Sequence, residues 1–126
     1  MNSIVRLEHV GIGVARERFE ETIRFYEHVF GWHRIKENPG EMAFIGDGQG
    51  GRLELLPSDA PSLARPHHLA FVVALDQFDA LAEALHHGGA LLQPESTNSF
   101  GDRLLFFSDP SGNHAQIVAR GEPLAP

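Results

Sequence analysis

Residues 4–14 alternate as a strand does, which sends Val10, Ile12 and Val14 to one face and His9, Gly11 and Gly13 to the other. The apolar set is expected to face a helix, and the small set leaves room in front of the sheet. The period then changes. Phe19, Ile23, Tyr26 and Phe30 recur at spacings of 4, 3 and 4, which draws one apolar stripe along a helix over residues 16–30. Glu17, Glu20 and Glu21 stand early, at the positive end of its dipole, and Gly31 stops it. Strands are expected over 32–37, 41–45 and 52–56. The first two are separated by the turn Asn38-Pro39-Gly40. The loop Gly46-Asp47-Gly48-Gln49-Gly50-Gly51 does not lead into a helix, so it reads as a hairpin turn and not as a phosphate cradle. On the following strand Arg52, Glu54 and Leu56 share one face, and Leu53 and Leu55 the other.

After a Pro-, Ser- and Ala-rich stretch the pattern restarts. A strand over 67–73 precedes a helix over 75–87 with Phe78, Leu81, Ala82 and Leu85 on one side, ended by Gly88-Gly89. Short strand signals follow at Leu91-Leu92, then the polar segment 95–100. Strands over 103–107 and 114–119 flank the turn Asp109-Pro110-Ser111-Gly112. One and the same interval separates His9 from His68, Val14 from Val73, and Phe19 from Phe78. Such a repeat outranks local signals. It predicts an α+β fold of two βαβββ modules in tandem. The first covers about 4–57, a linker 58–65, the second about 66–120, and a loose tail 121–126.

Composition narrows the function. At 126 residues the chain is long enough to bury a core. A net charge of -7 argues against nucleic acid and against an anionic membrane surface, and says little about small-molecule substrates. With no cysteine, disulfides, thiolate metal sites and cysteine nucleophiles are excluded. Neither a secretory leader nor a membrane span is evident, so a cytoplasmic protein is expected.

Two polar residues stand in apolar strand settings, Glu54 within Leu53-Glu54-Leu55-Leu56 and Gln116 within Ala115-Gln116-Ile117-Val118. Gln116 follows Glu54 at nearly the interval that separates the two histidines. An ionised carboxylate on an inward strand face is costly unless paired or metal-bound. Each alone has an ordinary explanation: a satisfied strand histidine, a carboxylate paired with Arg52, a plain strand glutamine. Together, His9, Glu54, His68 and Gln116 describe an octahedral divalent site of two imidazoles and two oxygens, with two positions left for water or substrate. His67 points away from that face. His114 shares it with Gln116 and is expected near the rim.

Several stretches carry a resemblance: Leu7-Glu8-His9-Val10-Gly11-Ile12-Gly13-Val14, Phe25-Tyr26-Glu27-His28-Val29-Phe30-Gly31-Trp32, Leu53-Glu54-Leu55, His68-Leu69-Ala70-Phe71-Val72-Val73 and Asp109-Pro110-Ser111-Gly112-Asn113. Over nearly its whole length the chain resembles the vicinal oxygen chelate superfamily. That group includes glyoxalase I, bleomycin- and fosfomycin-resistance proteins, methylmalonyl-CoA epimerase and extradiol dioxygenases. The resemblance implies paired βαβββ modules whose curled mixed sheet surrounds a divalent ion (Zn, Ni, Mn, Co or Fe), held at His9, Glu54, His68 and Gln116. It also implies a small-molecule substrate and a homodimer. Gln116 departs from the usual Glu. It leaves the site one charge more positive and removes one group able to carry a proton. The expected activity is that of a glyoxalase-like lyase or isomerase that chelates adjacent substrate oxygens, with Glu54 as base. The alternatives are a sequestering protein of the bleomycin-resistance type, its cleft lined by Trp32, Phe44 and Phe100, or an Fe(II) dioxygenase. The dioxygenase is disfavoured because its Glu normally comes from the position of Gln116.

Overall fold

The computed structural model describes residues 7–59 and 68–124. The predicted strands at 4–6 and 67, most of the linker, and the end of the tail lie outside them. The first half runs β1 (Val10–Ala15), α1 (Phe19–Phe30), β2 (His33–Asn38), β3 (Met42–Gly46) and β4 (Arg52–Ser58). The second runs β5 (Leu69–Val72), α2 (Phe78–His87), β6 (Leu91–Leu92), β7 (Ser96–Thr97), β8 (Arg103–Ser108) and β9 (His114–Ala119). A single 3-10 turn leads into each helix. The α+β class and the tandem βαβββ order agree with the sequence.

Each half has its own mixed sheet. The orders are β1-β4-β3-β2 and β5-β9-β8-β6, with β7 also pairing β8. The helical crossover makes β1 parallel to β4 and β5 parallel to β9, while hairpins make the remaining pairs antiparallel. Among the described residues β1 and β5 therefore each have one edge without a strand partner. β7 was not evident from the sequence. Ser96 and Thr97 are exposed and alternate no apolar residue, and they pair only because β8 offers Leu104 and Arg103.

Alternation places most of the core where it was expected, except that Val10, expected to face α1, is exposed at the start of β1. Val14, Leu53 and Leu55 turn inward under α1, which buries Phe19, Ile23 and Tyr26. Thr22 and Phe25 are buried as well. They lie outside the predicted stripe because α1 also touches the second half: Phe30 meets Phe71 at 4.7 Å and Phe25 meets Phe107 at 6.3 Å between ring centroids. Gly31 ends α1 at φ 70°, a left-handed conformation that favours glycine.

A polar clamp joins the halves. The turn 108–113 folds around Asp109, whose Oδ1 accepts the backbone N–H groups of Ser111 and Asn113 at 2.9 Å each. Its Oδ2 accepts the Tyr26 hydroxyl at 2.9 Å and the Asn113 amide at 3.0 Å. Asn113 also donates to the Gly13 carbonyl, and Ser111 meets Thr22 at 2.6 Å. Burial pushes the Asp109 carboxyl above its ordinary range, although these donors oppose the shift. Burial beside that carboxylate raises the Tyr26 phenol further. The turn 46–51 repeats the local pattern. Asp47 Oδ1 accepts Gln49 N–H and Gly51 N–H at 2.7 and 2.9 Å. On α2 of the other half the position equivalent to Tyr26 is held by Leu85, which offers no hydroxyl, and Asp47 stays exposed.

Candidate metal centre

His9 stands immediately before β1. Glu54 lies on β4, in register with Gly11 of β1 and Phe44 of β3. Its neighbours Leu53 and Leu55 are drawn into the core, so the pleat turns Glu54 to the opposite, half-buried face. His9 Nε2 is 3.5 Å from Glu54 Oε1. The other ring nitrogen, Nδ1, meets Glu8 Oε1 at 3.0 Å. A carboxylate at Nδ1 favours a proton there, which would leave Nε2 to bind an ion jointly with Glu54. The Phe44 ring meets the His9 ring edge-on at 4.9 Å.

The second half repeats this arrangement. His68 stands immediately before β5, and Gln116 on β9 is in register with Ala70 of β5 and Phe106 of β8. Gln116 Nε2 is 3.0 Å from His68 Nε2, and Phe106 meets His68 edge-on at 5.8 Å. Gln116 is only 8% exposed, and its Oε1 is buried with no hydrogen-bond partner. An unpaired buried amide oxygen costs about 1–3 kcal/mol. The O and N ends of an amide are interchangeable by rotation, so rotation would turn the oxygen toward His68.

These separations fit a shared ion. Two donors each about 2.0–2.2 Å from a metal, at roughly right angles, stand about 3 Å apart. His68 with Gln116 has that spacing at 3.0 Å, and His9 with Glu54 comes near it at 3.5 Å. The donor types, two imidazoles with one carboxylate and one amide oxygen, suit a borderline divalent ion.

The four sequence-predicted residues thus come together as two pairs on two sheets. Among the described residues no three His, Cys, Asp or Glu side chains gather as one group. His67 lies outside the described residues. His114 does lie beside the second pair: its ring is 6.4 Å from that of His68 and stacks on Phe106 at 5.4 Å. The three aromatics expected to share a cleft separate. Trp32 lines a cleft of about 770 Å³ between the halves with His9, Arg52, Phe71 and Leu81. Phe44 packs on His9, and Phe100 is exposed on the 98–102 turn. Phe44 and Phe106 are the neighbours that sequence reasoning missed as a pair. The available signal was their spacing, since Phe106 follows Phe44 at the same interval as Gln116 follows Glu54.

The chain belongs to the Glyoxalase/Bleomycin resistance protein/Dioxygenase superfamily, whose profile matches residues 6–117. No curated protein sequence matches it significantly. Its fold is shared by a glutamate-to-glutamine variant of the fosfomycin resistance protein FosX from Listeria monocytogenes, complexed with Mn(II) and 1S,2S-dihydroxypropylphosphonic acid. That match has 20% identity and a TM-score of 0.81, covering 93% of this chain and 91% of that one. FosX from Mesorhizobium loti matches with 19% identity and a TM-score of 0.77, covering 94% of each chain. A lactoylglutathione lyase from Agrobacterium tumefaciens matches with 15% identity and a TM-score of 0.73, covering 94% of this chain and 96% of that one. Among the described residues no helix is long and apolar enough to cross a membrane.

Proposed function

We propose that this protein is a divalent-metal-dependent, glyoxalase-like lyase or isomerase acting on a small substrate with adjacent oxygens. The observation that carries the reading is the buried, unpartnered Oε1 of Gln116 beside the His68 ring, repeated in form by His9 and Glu54. We further propose that one complete site takes His9 and Glu54 from one copy and His68 and Gln116 from a second. This is supported by the division of the donors between two sheets and by the bare edges of β1 and β5 beside them. Val10 and Val72 on those edges are exposed, as suits a surface that a second copy covers.

The four side chains would hold the ion, leaving room for substrate oxygens to bind it. Bound there, a divalent ion supplies a Lewis acid that draws off charge developing on the chelated oxygens. The protein's part follows from its own groups. Glu54 is the only carboxylate of the four, so it is the group that takes a proton from the carbon beside the chelated oxygens. Glu8 keeps the His9 ring in one tautomer. Phe44 and Phe106 hold the two imidazoles edge-on and limit their rotation. Gln116 contributes an oxygen without charge, which leaves the centre more electron-withdrawing than a second carboxylate would.

Metal titration of the chelator-stripped protein by calorimetry, with elemental analysis, tests this. One divalent ion per chain is expected, with at least a tenfold loss of affinity in His9→Ala and in Glu54→Gln. Protein that takes up no stoichiometric ion, and binds small molecules equally well with chelator present, would be a sequestering protein instead.

A further inference from the structure

We infer that the site takes an anionic substrate, with an oxyanion group beyond the two chelating oxygens that is held by Arg52 and His114. The inference rests on the metal-site reading above and extends it to substrate class. Arg52 lies two residues before Glu54 on β4, and His114 two residues before Gln116 on β9. The two are therefore equivalent positions of the repeat. Alternation puts each on the same face as its metal donor, one pleat away, about 7 Å along the strand. Both sheets therefore present a hydrogen-bond donor at the same end of the site.

Three observations point these donors at a ligand. Arg52, like Arg24 on α1, forms no salt bridge among the described residues, whereas Arg16, Arg18, Arg34, Arg103 and Arg120 all do, and of the two unpaired arginines only Arg52 lies beside the candidate metal donors. Its guanidinium makes one hydrogen bond, to the Glu8 carbonyl at 3.2 Å, and lines the cleft that holds His9. That leaves most of its planar fork for an oxyanion, which it matches two bonds at a time. His114 is held in place by stacking on Phe106, the same ring that orients His68. Charge agrees. A divalent ion is balanced by Glu54 and by the Glu8 carboxylate on His9, and Arg52 leaves an excess of about one positive charge. A distal carboxylate or phosphonate on a chelating anion pairs with that excess.

Manganese-loaded protein tests the inference without an activity assay. Mn(II) affinity is measured first. Lactate and malate are then titrated, because both chelate through a 2-hydroxycarboxylate and only malate carries a distal carboxylate. Malate is expected to bind at least tenfold more tightly. Arg52→Gln should remove that preference while leaving Mn(II) affinity within twofold, and His114→Ala should reduce it in part. If the protein does not bind Mn(II), the metal reading fails and this inference with it. If it binds Mn(II) but lactate and malate bind equally, or the preference survives Arg52→Gln, the anion inference alone is overturned.

Discussion

Replacing Tyr26 by Phe removes a single buried hydroxyl from the clamp between the halves. Tyr26 is fully buried, and its hydroxyl donates at 2.9 Å to an Asp109 carboxylate that is itself almost inaccessible. Solvent screening is therefore slight, and the pair joins two elements distant in sequence. A hydrogen bond to a charged group contributes about 1.5–3 kcal/mol, and the remaining donors of Asp109 keep the loss toward the lower half, about 2 kcal/mol. For a chain of this size about 2 kcal/mol corresponds to roughly 6–10 °C in Tm. The sign with pH is fixed by the same geometry. The folded Asp109 carboxyl sits above its ordinary range, so folding favours its protonated form, and stability from this group rises as pH falls through that range. The Tyr26 hydroxyl counteracts this by favouring the ionised form. Its loss raises the Asp109 value further, so Tyr26→Phe should cost most at neutral pH and least in acid, where the carboxyl is already protonated. Urea unfolding at several pH values, followed by far-UV circular dichroism, reads this directly. A deficit that is constant with pH, or below about 0.5 kcal/mol at neutral pH, would refute the assignment of the clamp to an ionised Asp109.

The remaining predictions concern the site, the interface and the acid limb. Gln116→Glu adds the missing carboxylate beside His68, so calorimetry should show divalent-metal affinity rising at least tenfold; a fall would mean that residue 116 is not a ligand. Val72→Asp changes an exposed residue on the bare edge of β5. It should leave chain stability within about 0.5 kcal/mol while sedimentation shows loss of the proposed dimer and calorimetry a parallel loss of metal affinity. Retention of the dimer would remove β5 from the proposed interface. Asp102 accepts hydrogen bonds from Gly121 N–H, Asn98 and Arg120, which hold its carboxyl below the ordinary range. Its stabilisation is therefore present above that ordinary range and lost as pH falls through the depressed value. Asp102→Asn should lower Tm at neutral pH and flatten the fall of Tm in acid below about pH 4; an unchanged acid limb would count against it.

Alternation and helical period, together with the repeat offset, were enough to read the order of elements and nearly all of the core, because burial of one face imposes those periods directly. They also placed Glu54 and Gln116 on faces clear of the core, since each sits between residues that turn inward, and put His9 and His68 at the start of the first strand of each half. What they could not reach depends on contacts distant in sequence. Tyr26 looked like one more residue of an apolar stripe, and only the docking of turn 108–113 made it the donor to Asp109. β7 exists because β8 offers it an edge. Arg52 and His114 became a related pair once both strands were in register. Above all, local pattern pairs His9 with Glu54 and His68 with Gln116, because each pair shares a sheet. Whether the two pairs face one another depends on how the two sheets are set relative to each other, and the tertiary structure leaves them as two separate pairs among the described residues of one chain.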